Sequence, residues 1–380
     1  MKKKIAVLLL AVVQLFLLSG CWNYVELDEQ INVSGIALDV GREGKRLHLS
    51  VEIVTVGKGE QSQFESHVME AEGNTAFEAI RQLMGISTKK LYFGHCKLIV
   101  IGESLARSGI RELLDLPLRN HELRTTMNIV VARGCSGRDI LLTKGLTTTI
   151  VSYRICDLLT ACEKFAGCAG RDKDYQIYDM LETQGLEITV PALERTQIDG
   201  EDMARLCGAG AFSGDRLVGW LTEKQAAQLS LLRGEYKTGL ITIESADSPF
   251  YNTSFEIYKA KTDTKLSRAP DGTVTAEVRV KLRVNVGEAQ SKTEFLDRAQ
   301  TEKTAYALEK NVEHDLNHIA DLAQHSYRCD IIGIGKRLKE TDPAAWKALG
   351  PDWKTNFSKV RFRIRAEVVI ISSGVSSVAD

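Results

Sequence analysis

The sequence predicts a mixed α+β fold: a three-domain extracytoplasmic lipoprotein built from helix-covered β-sheets. Three observations carry this reading. Residues 1–20 have the layout of an export signal that ends on a cysteine. Strand-period and helix-period segments alternate from residue 31 to about residue 190. From residue 239 onward, long alternating strands flank one long amphipathic helix.

Lys2, Lys3 and Lys4 form a positive start, and Ile5 to Leu18 is apolar except for Gln14. As a helix this run reaches about 21 Å, short of a hydrocarbon core of about 30 Å. It therefore reads as a signal segment and not as a permanent span. The end, Leu18-Ser19-Gly20-Cys21, has the form of a lipobox. Small residues admit the processing peptidase, and the Cys21 thiol carries diacylglycerol as a thioether. Each buried CH₂ of lipid contributes about 0.8 kcal/mol, so two or three chains hold a protein firmly. The expected boundaries are 1–20 for the signal peptide, 21–190 for an N-terminal α/β domain, 191–238 for a middle hairpin and helix domain, and 239–380 for a C-terminal α+β domain.

In the first domain, Ile31–Asp39 and Leu47–Val56 predict two strands joined by a turn at Gly41 and Gly44. Thr75 is placed to cap a helix whose buried face carries Phe77, Ile80, Leu83 and Met84. Lys97–Ile101 and Met127–Ala132 read as short buried strands, and Glu103–Leu116 as a helix ended by Pro117. Asp139–Leu142 and Ile155–Phe165 read helical, while 172–189 has no clear period. In the second domain, Leu206–Phe212 and Leu217–Leu221 flank Ser213-Gly214-Asp215-Arg216 as a hairpin. Thr222 and Gln225 have the spacing of a capping box for the helix that follows. In the third, strands are expected at Leu240–Ser245, Ser254–Lys261 and Thr273–Val286. A helix over Thr293–Gln324 follows, with Ala305, Leu308, Val312, Leu316, Ile319 and Leu322 on one face. A shorter helix from Ile331 and a strand at Arg361–Ile371 close the chain.

Composition narrows the functional classes. Removing residues 1–20 removes three lysines and no acid, so 49 basic residues become 46 against 50 acidic, a net of −4. That excludes the basic stripe of a nucleic-acid binder and argues against a polybasic membrane-surface domain. Beyond Cys21, the cysteines are Cys96, Cys135, Cys156, Cys162, Cys168, Cys207 and Cys329. Their number is odd and none forms C-x-x-C, so most are read as small buried residues.

The chemical motifs are weak. His314 and His318 share a helix face in H-D-L-N-H, but Asp315 is shorter than the Glu of a zinc-protease helix and no third ligand is indicated. Ser87-Thr88-Lys89-Lys90 and Lys237-Thr238-Gly239 match two transpeptidase patterns. However, Ser87 follows a predicted helix where that chemistry needs it at a helix start. Gly208-Ala209-Gly210 departs from the dinucleotide pattern at Ser213. The expectation is therefore no catalytic residue, no cofactor, no metal and no enzymatic activity.

The order of several segments resembles a known family. Trp22 to Leu27, Val33 to Asp39, Lys90 to Glu103, Gly208 to Gly219, and Asp330 to Gly335 with Trp346 and Trp353 together resemble the Ger(x)C lipoproteins, the C subunits of spore germinant receptors. Asn23 departs from the acidic residue usual there, and the cysteine-rich run 156–168 is unusual for the family. The resemblance implies a nutrient-sensing role in germination, with lipid anchoring on the outer face of the inner spore membrane. It also implies work beside an integral A-type subunit and a permease-like B-type subunit, with no catalytic residues to carry over. Whether this subunit touches the nutrient is left open. The rival reading is an extracytoplasmic solute-binding lipoprotein, which would favour two similar lobes joined by a hinge. A cell-wall enzyme is a third reading, resting on the weak motifs alone.

Overall fold

Two sheets of different construction carry the chain. The computed structural model describes residues 4–5, 26–42, 44–57, 64–119, 122–145, 148–165, 173–243, 250, 252–289 and 298–372. Cys21 and the residues just after it lie outside these, as does the start expected for the long helix at Thr293.

Among the described residues, the first sheet has nine strands: β1 Gln30–Val40, β2 Leu47–Val56, β3 Phe64–Gly73, β4 Lys90–Tyr92, β5 Leu98–Ile101, β6 Asn128–Ala132, β7 Thr189–Ile198, β8 Glu201–Ser213 and β9 Arg216–Leu221. Their order is β3-β2-β1-β5-β6-β7-β8-β9, with β4 pairing β1 in line with β5. The pairs β1/β5, β5/β6 and β6/β7 are parallel, and the flanking hairpins are antiparallel. Residues 191–238 thus supply strands that extend the sheet of the preceding segment, together with the helix Glu223–Arg233.

Parallel strands buried on both faces read as continuous apolar runs. Ile99 and Ile101 enter one core, Leu98 and Val100 the other. The first core is covered by α1 Ala76–Ile86, α2 Glu103–Ser108, α3 Arg111–Arg119 and α6 Asp174–Glu182. The second is covered by α4 Gly137–Leu141 and α5 Val151–Phe165. Glu52, fully buried on β2, ties α5 to the sheet. Its carboxylate accepts from the Val151 and Ser152 backbone at 2.7 and 2.9 Å, and from Ser34 and Ser66 Oγ at 2.7 and 2.8 Å. Anionic groups at a helix N-terminus satisfy orphan N–H groups and complement the dipole.

Several expectations need correction. β3 escaped the sequence reading, because its carboxylates mask the period: it is an edge strand with only Ala71 and Gly73 buried. Thr75 caps α1 by accepting from Glu78 N, but Phe77 is 46% exposed, and Ala76 and Ala79 take the buried positions. The helix from Glu103 breaks at Gly109 (φ 127°), and Pro117 lies inside α3. Of the cysteines, 96, 156, 207 and 329 are buried, Cys135 is partly exposed, and Cys162 is disulfide-bonded.

The second sheet runs β10 Gly239–Ile243, β11 Thr253–Arg268, β12 Val274–Ala289, β13 Arg361–Ser372 in that spatial order, with β12/β13 parallel. α7 Glu223–Arg233, whose capping box has both bonds, and α8 Arg298–Asp321 share its core. Leu308, Val312, Leu316 and Ile319 of α8 bury with Val278, Val280, Leu282 and Val284 of β12, as the spacing predicts. Glu309 and Glu313 of α8 accept from the backbone N–H groups of Val368 and Ala366 on the edge strand β13, at 2.9 and 3.2 Å. A single turn of π-helix, Leu322–Tyr327, follows α8, then α9 Ile334–Thr341, α10 Pro343–Leu349 and α11 Trp353–Phe357.

Two outcomes follow. Truncating Leu316, fully buried, to alanine should cost about 2–5 kcal/mol and lower the melting temperature clearly; an unchanged melt would mean the α8 face is misassigned. Asp174, 1% exposed, lies at the start of α6, and burial, opposed in part by nearby backbone N–H groups, pushes its pKa up to about 6. Its folded value exceeds its unfolded one, so its contribution to stability is present at low pH and lost as pH rises through about 6. Asp174→Asn should flatten that part of the pH profile and raise the melting temperature at neutral pH, measured calorimetrically.

Candidate functional site at the seam between the two sheets

The segment Cys329-Asp330-Ile331-Ile332-Gly333-Ile334-Gly335 joins the π-turn to α9 and lies where the two sheets meet. Asp330 is 3% exposed and fully engaged. Its Oδ1 accepts from Gly333 N at 2.7 Å and Ile334 N at 3.1 Å. Its Oδ2 accepts from Gly335 N at 2.7 Å and from the Trp353 indole Nε1 at 2.9 Å. One carboxylate thus organises the start of α9 and fixes α11. Burial raises its pKa, and the four donors act against that rise.

The same loop reaches across to the first sheet. Glu187 N donates to Asp330 O at 3.0 Å, and Lys336 N to Gly185 O at 2.7 Å. Arg233, nearly buried, donates to Ile331 O at 2.6 Å, and reaches Glu187 O and Thr189 Oγ1. A Cβ on Gly185 would lie 2.5 Å from the Gly335 carbonyl carbon, so the two backbones touch only because glycine stands there, and Gly185 also has φ of 78°. Tyr327, the last residue of the π-turn, lies over Gly219 of β9 and donates to Trp220 O at 2.7 Å. Arg328 then takes a left-handed conformation (φ 51°), which a non-glycine residue holds only where its surroundings impose it.

A cleft of about 500 Å³ opens along this seam. Trp346, Trp353 and Phe357 form an aromatic wall, with the Trp ring centroids 5.4 Å apart. Arg328, Lys347 and Lys354 line it beside Glu187. Glu187, pushed up by burial, accepts from Gly214 N at 2.6 Å, and Lys354 donates to Ser213 Oγ at 3.3 Å. Cys329 is buried and its thiol is pushed up to about 12 by burial, so it is held protonated. Carboxylates already engaged and a protonated thiol suit a joint better than a reaction centre.

The residues singled out from sequence stand apart from this seam. His314 and His318 are exposed on α8, while Asp315 accepts from Gln228 Nε2 at 2.7 Å. Ser87 caps the end of α1 and donates to Lys89 O at 2.8 Å; Lys90 pairs with Glu122 at 3.0 Å, and Lys237 with Glu163 at 2.7 Å. Cys21 lies outside the described residues. The seam itself left one trace in the sequence, because Gly208 to Gly219, Asp330 to Gly335, Trp346 and Trp353 were among the family segments. Their convergence on one joint was not legible.

Asp330→Ala would leave four donors without their acceptor, at about 1–3 kcal/mol for each one buried. The variant should lose at least about 3 kcal/mol in urea unfolding and shift Trp emission as the Trp353 indole loses its partner. A midpoint like wild type would show that this carboxylate does not hold the joint.

Residues 207–374 match the family model described as spore germination B3/GerAC like, C-terminal, and residues 23–195 match the spore germination protein N-terminal domain. The chain is 25% identical to spore germination protein B3 of Bacillus subtilis over 95% of this chain and 96% of that one. It is 23% identical to spore germination protein KC of the same species, over 99% and 97%, and 22% identical to spore germination protein GerQC of Bacillus cereus, over 99% and 100%. The crystal structure of the GerBC protein superposes with a TM-score of 0.57 at 20% identity, over 89% of this chain and 97% of that one, and so shares the fold. The two family models follow one another along nearly the whole chain: it belongs to the Ger(x)C family of spore germination proteins.

Proposed function

We propose that this chain is the lipid-anchored C subunit of a nutrient germinant receptor. It stands on the outer face of the inner spore membrane and works by assembling with an integral A-type and a permease-like B-type subunit. The observation that carries the reading is the match in order to both family models, from residue 23 to residue 374. Among the described residues, no helix is long and apolar enough to cross a membrane, so the reading gives attachment to Cys21. Lipid tethering confines the folded part to the membrane surface. That raises its effective concentration towards integral partners into roughly the millimolar range, so individually weak contacts suffice.

The protein acts by contact and not by turnover in this reading. The seam supports it, because its polar groups are spent on joining the two sheets. The contrast between a nine-stranded and a four-stranded sheet also counts against a solute binder of two similar lobes.

In spores, deleting the gene should abolish or slow germination to one set of nutrients and leave other responses intact. Cys21→Ala should block maturation, leaving an uncleaved precursor or protein lost from the membrane, read by mass spectrometry of the N-terminus. Ser87→Ala, Lys90→Ala, His314→Ala and His318→Ala should each leave germination nearly unchanged. Normal germination of the deletion strain to every nutrient, with no paralogue present, would sink the receptor reading. An unmodified mature Cys21 would sink the anchoring.

A further inference from the structure

The outer face of the second sheet is a cationic surface that the whole-chain charge conceals. Residues in register on adjacent strands project to the same side, and every second residue along a strand shares that side. The exposed rows are Ser267–Thr275–Arg361, Lys265–Glu277–Arg363, Asp263–Arg279–Arg365, Lys261–Lys281–Glu367 and Lys259–Arg283–Val369. They hold nine cations against three carboxylates, a net of +6, within a chain of net −1. All nine cations are exposed. Two of the carboxylates are already paired, Glu367 with Lys281 at 2.8 Å and Glu277 with Arg363 at 3.7 Å. The five rows extend about 27 Å along the strands, at about 3.4 Å per residue. At one end the charge gives way to exposed Tyr258, Leu240, Val369 and Ile371, with Glu256 among them. Arg283 lies over the Tyr258 ring, 6.0 Å from its centroid.

The geometry points to this face as a docking surface for the anionic headgroups of a phospholipid membrane, which would lay the second sheet flat against the bilayer. Charge complementarity selects the occupant. Protein interfaces concentrate their energy in a desolvated centre depleted of lysine, whereas lysine and arginine are spread over all five rows here. A diffuse array of that kind matches a diffuse array of phosphates, and an exposed tyrosine at its rim suits the headgroup layer. The inference rests on the anchored reading above, since a tether holds the face within reach of the surface.

The test uses the full-length protein reconstituted with vesicles of phosphatidylcholine alone, or of phosphatidylcholine and phosphatidylglycerol in equal parts. Lysines are labelled with a membrane-impermeant amine reagent and read by mass spectrometry. Lys261, Lys265 and Lys281 should label several-fold less on the anionic vesicles, regain labelling at high salt, and differ little from each other. Lys89 and Lys144, on the first sheet's side of the molecule, should label alike on both. The variant Lys261→Glu/Arg279→Glu/Arg365→Glu should lose the protection of Lys281 while keeping the wild-type melting temperature. The wild-type comparison decides even if that variant folds poorly. Flotation with both vesicle types but equal labelling overturns the proposal and leaves the anchor standing. Protection that appears only when an acidic protein is added also overturns it. Flotation with anionic vesicles alone supports the face and removes the anchor, and flotation with neither removes both.

Discussion

The carboxylate of Asp330 is the constraint on which the arrangement of the two sheets depends. It is out of contact with water, so each of its oxygens must find donors inside the protein, and four are supplied: three backbone N–H groups and an indole. Those donors come from the start of α9 and from α11, elements with little regular structure of their own to hold them. The helices are short, and short helices take their stability from what they pack on. Once the loop is set, its own carbonyl and the neighbouring backbone groups bind Glu187 and Gly185 of the first sheet's connection, and Arg233 adds a charged clasp. A local turn thereby fixes the relation between distant parts of the chain.

Glu52 solves a comparable problem in the first sheet. Both buried carboxylates accept only from neutral donors, and each lies where a helix begins. The low-dielectric interior makes such bonds strong and leaves any missing partner costly. The result is specificity of packing: α5 can dock on β2 in one rotation, and α9 on its loop in one register. If the chain works by contact, as proposed above, a rigid body of defined shape transmits a displacement that a loose one would absorb.

Much of this fold was legible in the sequence, and the failures have physical causes. β2 is readable to the residue because one period dominates it, and α8 because its apolar stripe repeats over many turns. β3 was lost because an edge strand with glutamates along it carries no apolar period. The break at Gly109 was misplaced to Pro117 because proline is the stronger generic signal, while the actual turn follows from a positive φ. The seam was hidden for a different reason. Asp330 reads as one acid among many until the chain is folded, and Gly185 and Gly335 are far apart in sequence. Charge totals misled in the same way: near neutrality of the whole chain says nothing about how the signs are divided over its surfaces.

The glutamates of α8 along β13 bear on how such molecules coexist. A sheet that ends in an open strand invites the same strand of a neighbour to extend it. With the Ala366 and Val368 amides already occupied by Glu313 and Glu309, a second copy finds those donors taken and two negative charges standing over them. That stretch of β13 is thereby closed to strand addition, and two copies that meet along it stay separate units.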